Sequence, residues 1–306
     1  MRADDLGAGG FTPPHQPHPA PALRTTLNGL SLCDWPLPEV VHSRGMVLIV
    51  HGLGEHMGRY DAVARELNAW GFAVRGYDQY GHGLSAGVRG SLPSATKLLD
   101  DLTAVVAHTH SNLANLGDRL GANKRLIVVG HSLGGLVASR WVSLQAQPET
   151  LISGLVLSSP AFDAGLNWAQ KILVAVLPHL LPNLRVSNGL NAAYLSHDLA
   201  QVAAYKADPL VHDRIAARLA RFISDAGPTV LLTKAKGWTV KTLLLYAGDD
   251  KLVSPEGSRV FEALAPADLV DSHCFEPLYH ELLNEAEPGR TQVLAALKRW
   301  LDVHFR

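Results

Sequence analysis

The chain has 306 residues, of which 47% are hydrophobic, and its formal net charge is -1 at pH 7. Such a chain can bury a substantial core, either as one large α/β domain or as two ordinary ones. The near-zero charge argues against a nucleic-acid partner, because no basic stripe is present that could displace counterions from phosphates. Cys33 and Cys274 are too few for a disulfide scaffold or a structural zinc site, so we expect free thiols and no metal.

The first 21 residues are rich in Gly, Pro and His, and we expect a flexible segment there. This segment lacks the apolar core of a secretory signal peptide. No run in the chain reaches the roughly 18 to 20 apolar residues that a membrane-spanning helix needs. These patterns predict a cytoplasmic protein.

Two short strands around an Asn-Gly turn are predicted between Leu23 and Trp35, with the turn at Asn28-Gly29. The next run, Met46–Val50, is apolar throughout, which is typical of a strand covered on both faces in a parallel sheet. It leads into a loop at residues 51–54, at the carboxyl end of the strand.

Helices and strands then alternate along the chain. Apolar residues recur at helical spacing from Tyr60 to Trp70, with Gly71 as the expected C-terminal stop. The elements predicted next are a strand, a helix and two strands, at Phe72–Tyr77, Leu98–Leu116, Arg125–Val129 and Gly154–Ser158. This alternation predicts an α/β fold, with a mostly parallel sheet and helices on both faces. Ligands on such sheets bind at the carboxyl ends of the strands.

The alternation breaks between Pro160 and Trp238, where the pattern is helical and no convincing strand is found. An insertion between two strands, near their carboxyl ends, would lie over the active site. We therefore predict a helical cap at residues 160–238, inserted after the sixth strand, and a core formed by residues 22–159 and 239–306. A pair of ordinary packing helices is the alternative interpretation.

Ser132 lies where a predicted strand becomes a helix. The run Gly130–Gly134 directly follows β-branched residues and leads into the helix-forming run Leu136–Leu144. Glycine is needed at 130 and 134 because the bend leaves little room for side chains. The helix directs its unpaired N–H groups and the positive end of its dipole toward charge that develops beside the serine oxygen. This context is that of a nucleophile elbow.

A serine hydroxyl becomes a good nucleophile only when a base takes its proton and a third group holds the tautomer of that base. In folds with this elbow the chain order is nucleophile, acid, base. Asp249 and Asp250 follow the strand predicted at Lys241–Tyr246, after the cap. We favour Asp250, because the loop turns back toward the sheet edge there. An Asx turn or a helix cap is the alternative for either aspartate.

His280 is the predicted base among fifteen histidines. It lies in the loop beyond the last predicted strand, Ser272–Phe275, and before a closing helix with apolar residues on one face from Val293 to Phe305. His273 lies within that strand, and we interpret it as a packed core histidine.

The negative oxygen of a tetrahedral intermediate needs N–H donors. The backbone N–H of Leu133, just after the nucleophile, is one predicted donor. Leu53, in the loop after the first buried strand, provides the other. His51 is expected to support that loop through a hydrogen bond. We expect no cofactor and no metal in this chemistry.

Further motifs accompany these residues: His51-Gly-x-Gly-Glu55-His56-x-Gly58-Arg59-Tyr60, Tyr77-Asp-x-x-Gly81-His82-Gly83-x-Ser85, Gly130-His-Ser-x-Gly-Gly135 and Asp208-Pro-Leu-Val211. Together with Asp250 and His280 they resemble the monoacylglycerol lipase and lysophospholipase branch of the α/β-hydrolases. The resemblance spans about Arg44 to Phe305, so the segment before Leu23 lies outside it.

The resemblance implies a cap that lines an acyl tunnel and a serine that hydrolyses a carboxylic ester of a lipid-like alcohol. By position, it assigns Ser132, Asp250 and His280 to the triad, and Leu53 and Leu133 to the oxyanion hole. The expected substrate is a small acyl ester or lipid, above all a monoacylglycerol, and the expected intermediate is an acyl-enzyme on Ser132.

Three further side chains near the site are candidate substrate ligands. Glu55 and Arg59 lie a few residues past the oxyanion loop, and either could hold the polar alcohol. An internal salt bridge that fixes the loop is an equally good interpretation of these two. His131, beside the serine, is the third candidate.

Several alternatives stay open from the sequence. A broad carboxylesterase with short-chain preference is the nearest, followed by a lysophospholipase, a thioesterase or an aminopeptidase. A ligand sensor that keeps the fold without catalysis is a non-enzyme alternative.

The apolar run Trp168–Leu177 is interrupted by Lys171 and is followed by Pro178, so we expect a cap helix that lines the tunnel and touches lipid surfaces transiently.

Overall fold

The computed structural model describes residues 22–38, 41–115, 124–165 and 168–306. The predicted flexible segment at residues 1–21 and the last residue of the predicted helix, Leu116, lie outside the described residues.

An eight-stranded sheet forms the centre of the fold, in the order β1-β2-β4-β3-β5-β6-β9-β10. The hairpin β1–β2 is antiparallel and β2 pairs antiparallel with β4, whereas the other neighbours are parallel. The mostly parallel α/β sheet predicted from the sequence is therefore confirmed. The strands are β1 Leu23–Leu27, β2 Leu30–Trp35, β3 Gly45–Val50, β4 Phe72–Tyr77, β5 Leu126–His131, β6 Gly154–Ser158, β9 Thr242–Ala247 and β10 Val270–Phe275.

Local sequence explains the first hairpin. Asn28 and Gly29 both have positive φ angles, 50° and 81°, as a two-residue turn of the primed type requires. Only Gly reaches this region without strain, and Asn reaches it more easily than most residues.

Helices cover both faces of the sheet, as predicted. The side chains of α1 and α8 pack in one apolar layer, and those of α2, α3 and α7 pack in the other. The helices of the core are α1 Asp61–Ala69, α2 Lys97–Asn115, α3 Leu133–Leu144, α7 Pro255–Leu264 and α8 Gly289–His304.

The segment between β6 and β9 contains α4 Trp168–Leu180, α5 Leu199–Ala207 and α6 Ala217–Thr233. The prediction that it holds no strand is wrong. Two three-residue strands, β7 Arg185–Ser187 and β8 Arg214–Ala216, pair antiparallel within it. Three residues are too few for an alternating pattern to be recognised in a sequence.

The prediction for His273 is also wrong. Its side chain is exposed. His273 lies on the edge strand β10 and points to the same face as Asp271, and both are exposed, so this face is not covered at the edge of the sheet. The two cysteines are free, as predicted, with Cys33 buried and Cys274 half-buried.

Candidate active site

Ser132 occupies the single position between β5 and α3, and its backbone is in a strained conformation with φ 52° and ψ -118°. Strain of this kind persists only where the surroundings enforce it. The Ser132 N–H donates to the Ser158 carbonyl at 3.0 Å, and the Ser132 carbonyl accepts from the N–H groups of Leu136 and Ala161 at 3.0 and 3.1 Å. A Cβ on Gly134 would overlap the Val50 carbonyl oxygen, so this turn requires glycine there.

His280 and Asp250, separated by 30 residues in sequence, meet in a buried hydrogen bond of 2.6 Å between Nδ1 and Oδ2. The other carboxylate oxygen, Oδ1, accepts from the backbone N–H groups of Leu252 and Val253 at 2.8 and 3.1 Å. Asp249 is instead half-exposed and pairs with Lys251. The structure therefore brings Asp250 to the histidine, and it does not bring Asp249 there.

Both members of this pair have shifted pKa values. Burial alone would lower the pKa of His280, but the Asp250 carboxylate, together with Glu281 and Glu55, raises it above its ordinary value. Burial would raise the pKa of Asp250, yet the histidine and the two backbone N–H donors lower it. The pair thus favours a charged imidazole, which is the form that a histidine takes when it acts as a base.

Ser132 and His280 line the same cavity, of about 250 Å³. Side chains on both sides of the site complete its wall. The core contributes Leu53, Leu133, Leu252 and Val253, and the segment between β6 and β9 contributes Val174, Val186, Leu190, Ile215 and Ile223. Gln170 and Asn188 are polar members of the same wall. The cavity is therefore mostly apolar, with the serine and the histidine among its polar groups.

The loop after β3 reaches this cavity through Leu53. Behind Leu53, the imidazole of His51 accepts from the Gln79 N–H through Nε2 at 2.9 Å, which leaves Nδ1–H to donate to the Gly52 carbonyl at 2.7 Å. His51 thus supports the loop by hydrogen bonds, as predicted. Leu133 is the first residue of α3, so its N–H is among those that the helix itself leaves without a partner.

Glu55 and Arg59 form a buried ion-pair network with Glu281. The Arg59 guanidinium donates to Glu55 Oε2 at 2.6 Å and to both oxygens of Glu281 at 2.6 Å. Glu55 Oε1 accepts from the Gly52 N–H at 2.6 Å and from the Tyr60 hydroxyl at 2.7 Å. This is the internal salt bridge that the sequence left open as one of two interpretations. It joins the loop after β3 to the residue that follows His280.

Glu55 and Arg59 hold each other in the ionised state. Burial would raise the pKa of Glu55, but Arg59 and the neighbouring histidines and donors lower it to about 2. The two carboxylates raise the pKa of Arg59 despite its burial. A paired and hydrogen-bonded buried cluster of this kind is rigid, and removal of one member leaves an uncompensated charge.

His131 lies directly behind the serine. Its Nδ1 is 3.1 Å from the Ser158 carbonyl oxygen, and its ring centroid is 4.8 Å from that of His280. Burial and the neighbouring His280 lower the pKa of His131 to about 4, so the ring is neutral at neutral pH. A neutral ring at this position adds no charge that would oppose protonation of the His280 imidazole.

Sequence reasoning missed Glu281, the partner of Arg59, and Glu285, a second buried carboxylate in the same loop. Both lie within five residues of His280, and charged residues this close to a predicted base were a usable signal. Across residues 22–38, 41–115, 124–165 and 168–306, no group of three or more His, Cys, Asp or Glu side chains is arranged to hold a metal ion.

A mostly parallel sheet with a serine on a strained strand-to-helix turn defines an α/β-hydrolase. The family Hydrolase_4, described as Serine aminopeptidase, S33, matches residues 41–287, and the chain belongs to this family.

Two relatives and one solved structure show how far the similarity extends. A monoacylglycerol lipase of Mycolicibacterium smegmatis (strain ATCC 700084 / mc(2)155) is 34% identical over 269 residues, which cover 86% of this chain and 89% of that protein. The phospholipase YtpA of Bacillus subtilis (strain 168) is 27% identical, over 85% of this chain and 96% of its own length. The crystal structure of a Paleococcus ferrophilus monoacylglycerol lipase superposes with a TM-score of 0.77 at 33% identity, and covers 90% of this chain and 99% of that one.

Proposed function

We propose that this protein is a serine lipase whose preferred substrates are monoacylglycerols. The chain is a lipid-ester hydrolase by its family and by its relatives, which are named as monoacylglycerol lipases and a phospholipase. The preference for monoacyl esters and the roles of the residues that cleave them are part of our proposal.

In the proposed mechanism the hydroxyl of Ser132 attacks the ester carbonyl while His280 takes its proton. Asp250 holds the imidazole with Nδ1–H toward the carboxylate, so that Nε2 is the atom free to accept. The N–H groups of Leu53 and Leu133 donate to the oxyanion. The imidazolium then protonates the leaving alcohol, and a water molecule activated by His280 hydrolyses the acyl-enzyme.

The apolar cavity is the observation that carries the proposal. Ser132 lines it, and aliphatic side chains of the core and of the segment at residues 160–238 form most of its wall, as an acyl chain requires. An aminopeptidase would need a carboxylate there to bind a substrate ammonium group. None of the described residues that line the cavity is acidic, and nearby Glu55 and Glu281 are both bound to Arg59. These features favour an ester over a peptide.

A fluorophosphonate probe tests the nucleophile. We expect the wild-type protein to be labelled and Ser132→Ala to be unlabelled, with an unchanged melting temperature as the control for folding. An unlabelled wild-type protein would favour a ligand sensor over an enzyme.

Substrate preference is tested by rates on p-nitrophenyl esters from acetate to palmitate, measured beside monoacyl-, diacyl- and triacylglycerols and a lysophospholipid. We expect the highest kcat/KM on a monoacylglycerol. A maximum at acetate would indicate a short-chain carboxylesterase, and a maximum on the lysophospholipid would indicate a lysophospholipase.

We also propose that α4 touches the lipid aggregate from which substrate is drawn, in a cell compartment that the sequence predicts to be the cytoplasm. Trp168, Ile172, Val176 and Leu180 follow at four-residue spacing and are exposed, with Trp168 at 76% and Leu180 at 72%. Val174, on the same helix, lines the cavity. One helix would thus contact lipid outside and substrate inside. None of the helices in the described part of the chain has the length and apolar content to cross a bilayer.

The double variant Trp168→Ser and Ile172→Ser tests this contact. On a monoacylglycerol, the wild-type rate should rise sharply above the concentration at which the lipid aggregates, and the variant should lose this rise but keep its rate on p-nitrophenyl acetate. Val303→Ser, an exposed apolar position on α8, is the matched control and should retain the rise. A smooth saturation curve for the wild type would contradict the proposal.

A further inference from the structure

Glu285 is a buried carboxylate that lies outside the catalytic cavity. Its side chain is 1% exposed, and it lies between the loop that carries His280 and the segment that leads into α5. Oε1 accepts from the Ser196 hydroxyl, the His197 N–H and the Ala286 N–H at 3.0, 2.6 and 2.8 Å. Oε2 accepts from the Tyr279 N–H at 2.9 Å and lies 3.1 Å from His197 Nδ1. One carboxylate therefore binds the backbone of both segments.

Three further contacts join the same two segments. The Glu281 N–H donates to the Leu195 carbonyl at 2.7 Å, and the Ser196 hydroxyl lies 2.9 Å from the Asn284 carbonyl. The ring of His197 stacks on the ring of Tyr279 with centroids 3.7 Å apart and planes 20° apart. The residues immediately before and after His280 are thus both attached to residues 195–197.

The carboxylate is held as an anion by its donors. Burial would raise the pKa of Glu285, but the N–H groups of Ala286, Tyr279 and His197 lower it. Hydrogen bonds to a charged acceptor are roughly twice as strong as those between neutral groups, so this contact is stronger than an ordinary loop contact.

We propose that Glu285 is a positioning residue that makes the placement of His280 depend on the placement of the cap segment at residues 195–197. The inference rests on the proposed function, in which His280 is the base. A shift of the cap would then move the Tyr279 N–H, and with it the imidazole, relative to Asp250 and Ser132. A displacement of about 1 Å at a reacting group can cost about 10²-fold in rate.

Glu285→Gln is a sharp test because the structure determines how the new amide must face. The carbonyl oxygen is required at Oε1, where three donors converge, so the NH2 group takes the place of Oε2 and faces the Tyr279 N–H. The new NH2 group and the Tyr279 N–H are both donors, so the hydrogen bond between residue 285 and Tyr279, which precedes His280, is lost. The side chain keeps its size.

For Glu285→Gln we expect kcat on p-nitrophenyl acetate to fall about 10-fold to 10²-fold with KM changed less than about twofold, because acetate is too short to fill the cavity and the defect is in the base. Asp101→Asn, a buried carboxylate on α2 far from the site in sequence, is the matched control and should leave kcat unchanged. Melting temperatures of both variants show that the assayed protein is folded.

The coupling to the cap is tested from the other side, with Ser196→Ala and His197→Ala combined in a chain that retains Glu285. This variant removes the hydroxyl and the stacked ring, and we expect it to lower kcat on p-nitrophenyl acetate with KM nearly constant. If it leaves kcat unchanged, or if Glu285→Gln lowers only the melting temperature, the coupling is refuted. A wild-type protein that neither turns over esters nor reacts with a fluorophosphonate would instead refute the proposed function.

Discussion

Asp250→Asn tests the acid of the site because the structure determines which way the new amide must face. Oδ1 accepts from the N–H groups of Leu252 and Val253, so the amide oxygen stays at that position. The NH2 group then takes the place of Oδ2, 2.6 Å from His280 Nδ1 in the native pair. A donor at this position forces Nδ1 to accept, so the proton of the neutral ring moves to Nε2. The base then has no lone pair to offer Ser132.

The expected effect is large. The wrong tautomer of the base in a Ser-His-Asp triad lowers kcat by about 10⁴-fold, which corresponds to about 5 kcal/mol of transition-state stabilisation at 298 K. Because the amide has the same shape as the carboxylate and keeps the two backbone N–H bonds, we expect the fold to persist and KM to change little. The loss should therefore be a loss of kcat.

The assay is steady-state hydrolysis of p-nitrophenyl butyrate at pH 8, with circular dichroism and thermal unfolding to show that the variant is folded. Asp249→Asn is the matched control, because that aspartate is half-exposed and pairs with Lys251. We expect the control to stay within about twofold of the wild type, as is usual for surface charges. If Asp250→Asn retained activity within about tenfold, or Asp249→Asn lost as much, the tautomer argument would be wrong.

Other predictions follow from the same geometry. Arg59→Met leaves Glu55 charged and buried without a cation, so we expect a loss of about 3 to 5 kcal/mol in urea unfolding at pH 7. The pKa of Glu55 is lowered to about 2 in the folded protein, from 4.5 as the ordinary value. The ionised Glu55 therefore contributes its full stabilisation above pH 4.5, and this stabilisation is lost as the pH falls through about 2. The difference in free energy of unfolding between the wild type and Arg59→Met should therefore become smaller as the pH is lowered toward about 2. A difference that stays constant with pH would contradict the pairing of Arg59 with Glu55. Gly134→Ala places a Cβ against the backbone of the neighbouring strand. We expect this variant to lower the free energy of unfolding by at least about 1 to 3 kcal/mol and to abolish fluorophosphonate labelling. In Gly237→Ala the added Cβ meets open space, so this control should keep both the stability and the fluorophosphonate labelling of the wild type. The acid side of the kcat/KM profile should have its midpoint above pH 6.5, because the proposed base, His280, must be neutral to take a proton and its pKa is raised. A midpoint below that value would refute the raised pKa.

The sheet was predictable because each of its signals is local. The run Met46–Val50 is apolar throughout, and the strand found there, Gly45–Val50, is buried along its whole length. The turn at Asn28-Gly29 and the need for glycine around Ser132 are also local signals, because both depend on steric limits within a few residues. The chain order of nucleophile, acid and base in folds with this elbow then indicated Asp250 and His280, each in a loop that follows a predicted strand.

What could not be predicted depends on partners distant in sequence. Arg59 could have been a substrate ligand or half of a salt bridge, and the choice rests on Glu281, 222 residues further along. The strand β7 pairs with β8, which lies 27 residues or more further along the chain, and the exposure of His273 depends on the position of β10 at the edge of the sheet.

The sequence by itself determined where the eight strands of the central sheet lie along the chain, the sharp turn at Ser132 and the candidate acid and base. The strands and the turn depend on propensity, steric room and periodicity, which act over a few residues, and the candidate acid and base follow from the chain order of the triad in such folds. Only the tertiary structure decided that Arg59 is bound to two carboxylates and that Glu285 joins the His280 loop to residues 196–197. A buried charge must find its counter-charge or donor wherever folding places one, and its position in space is not a local property of the chain.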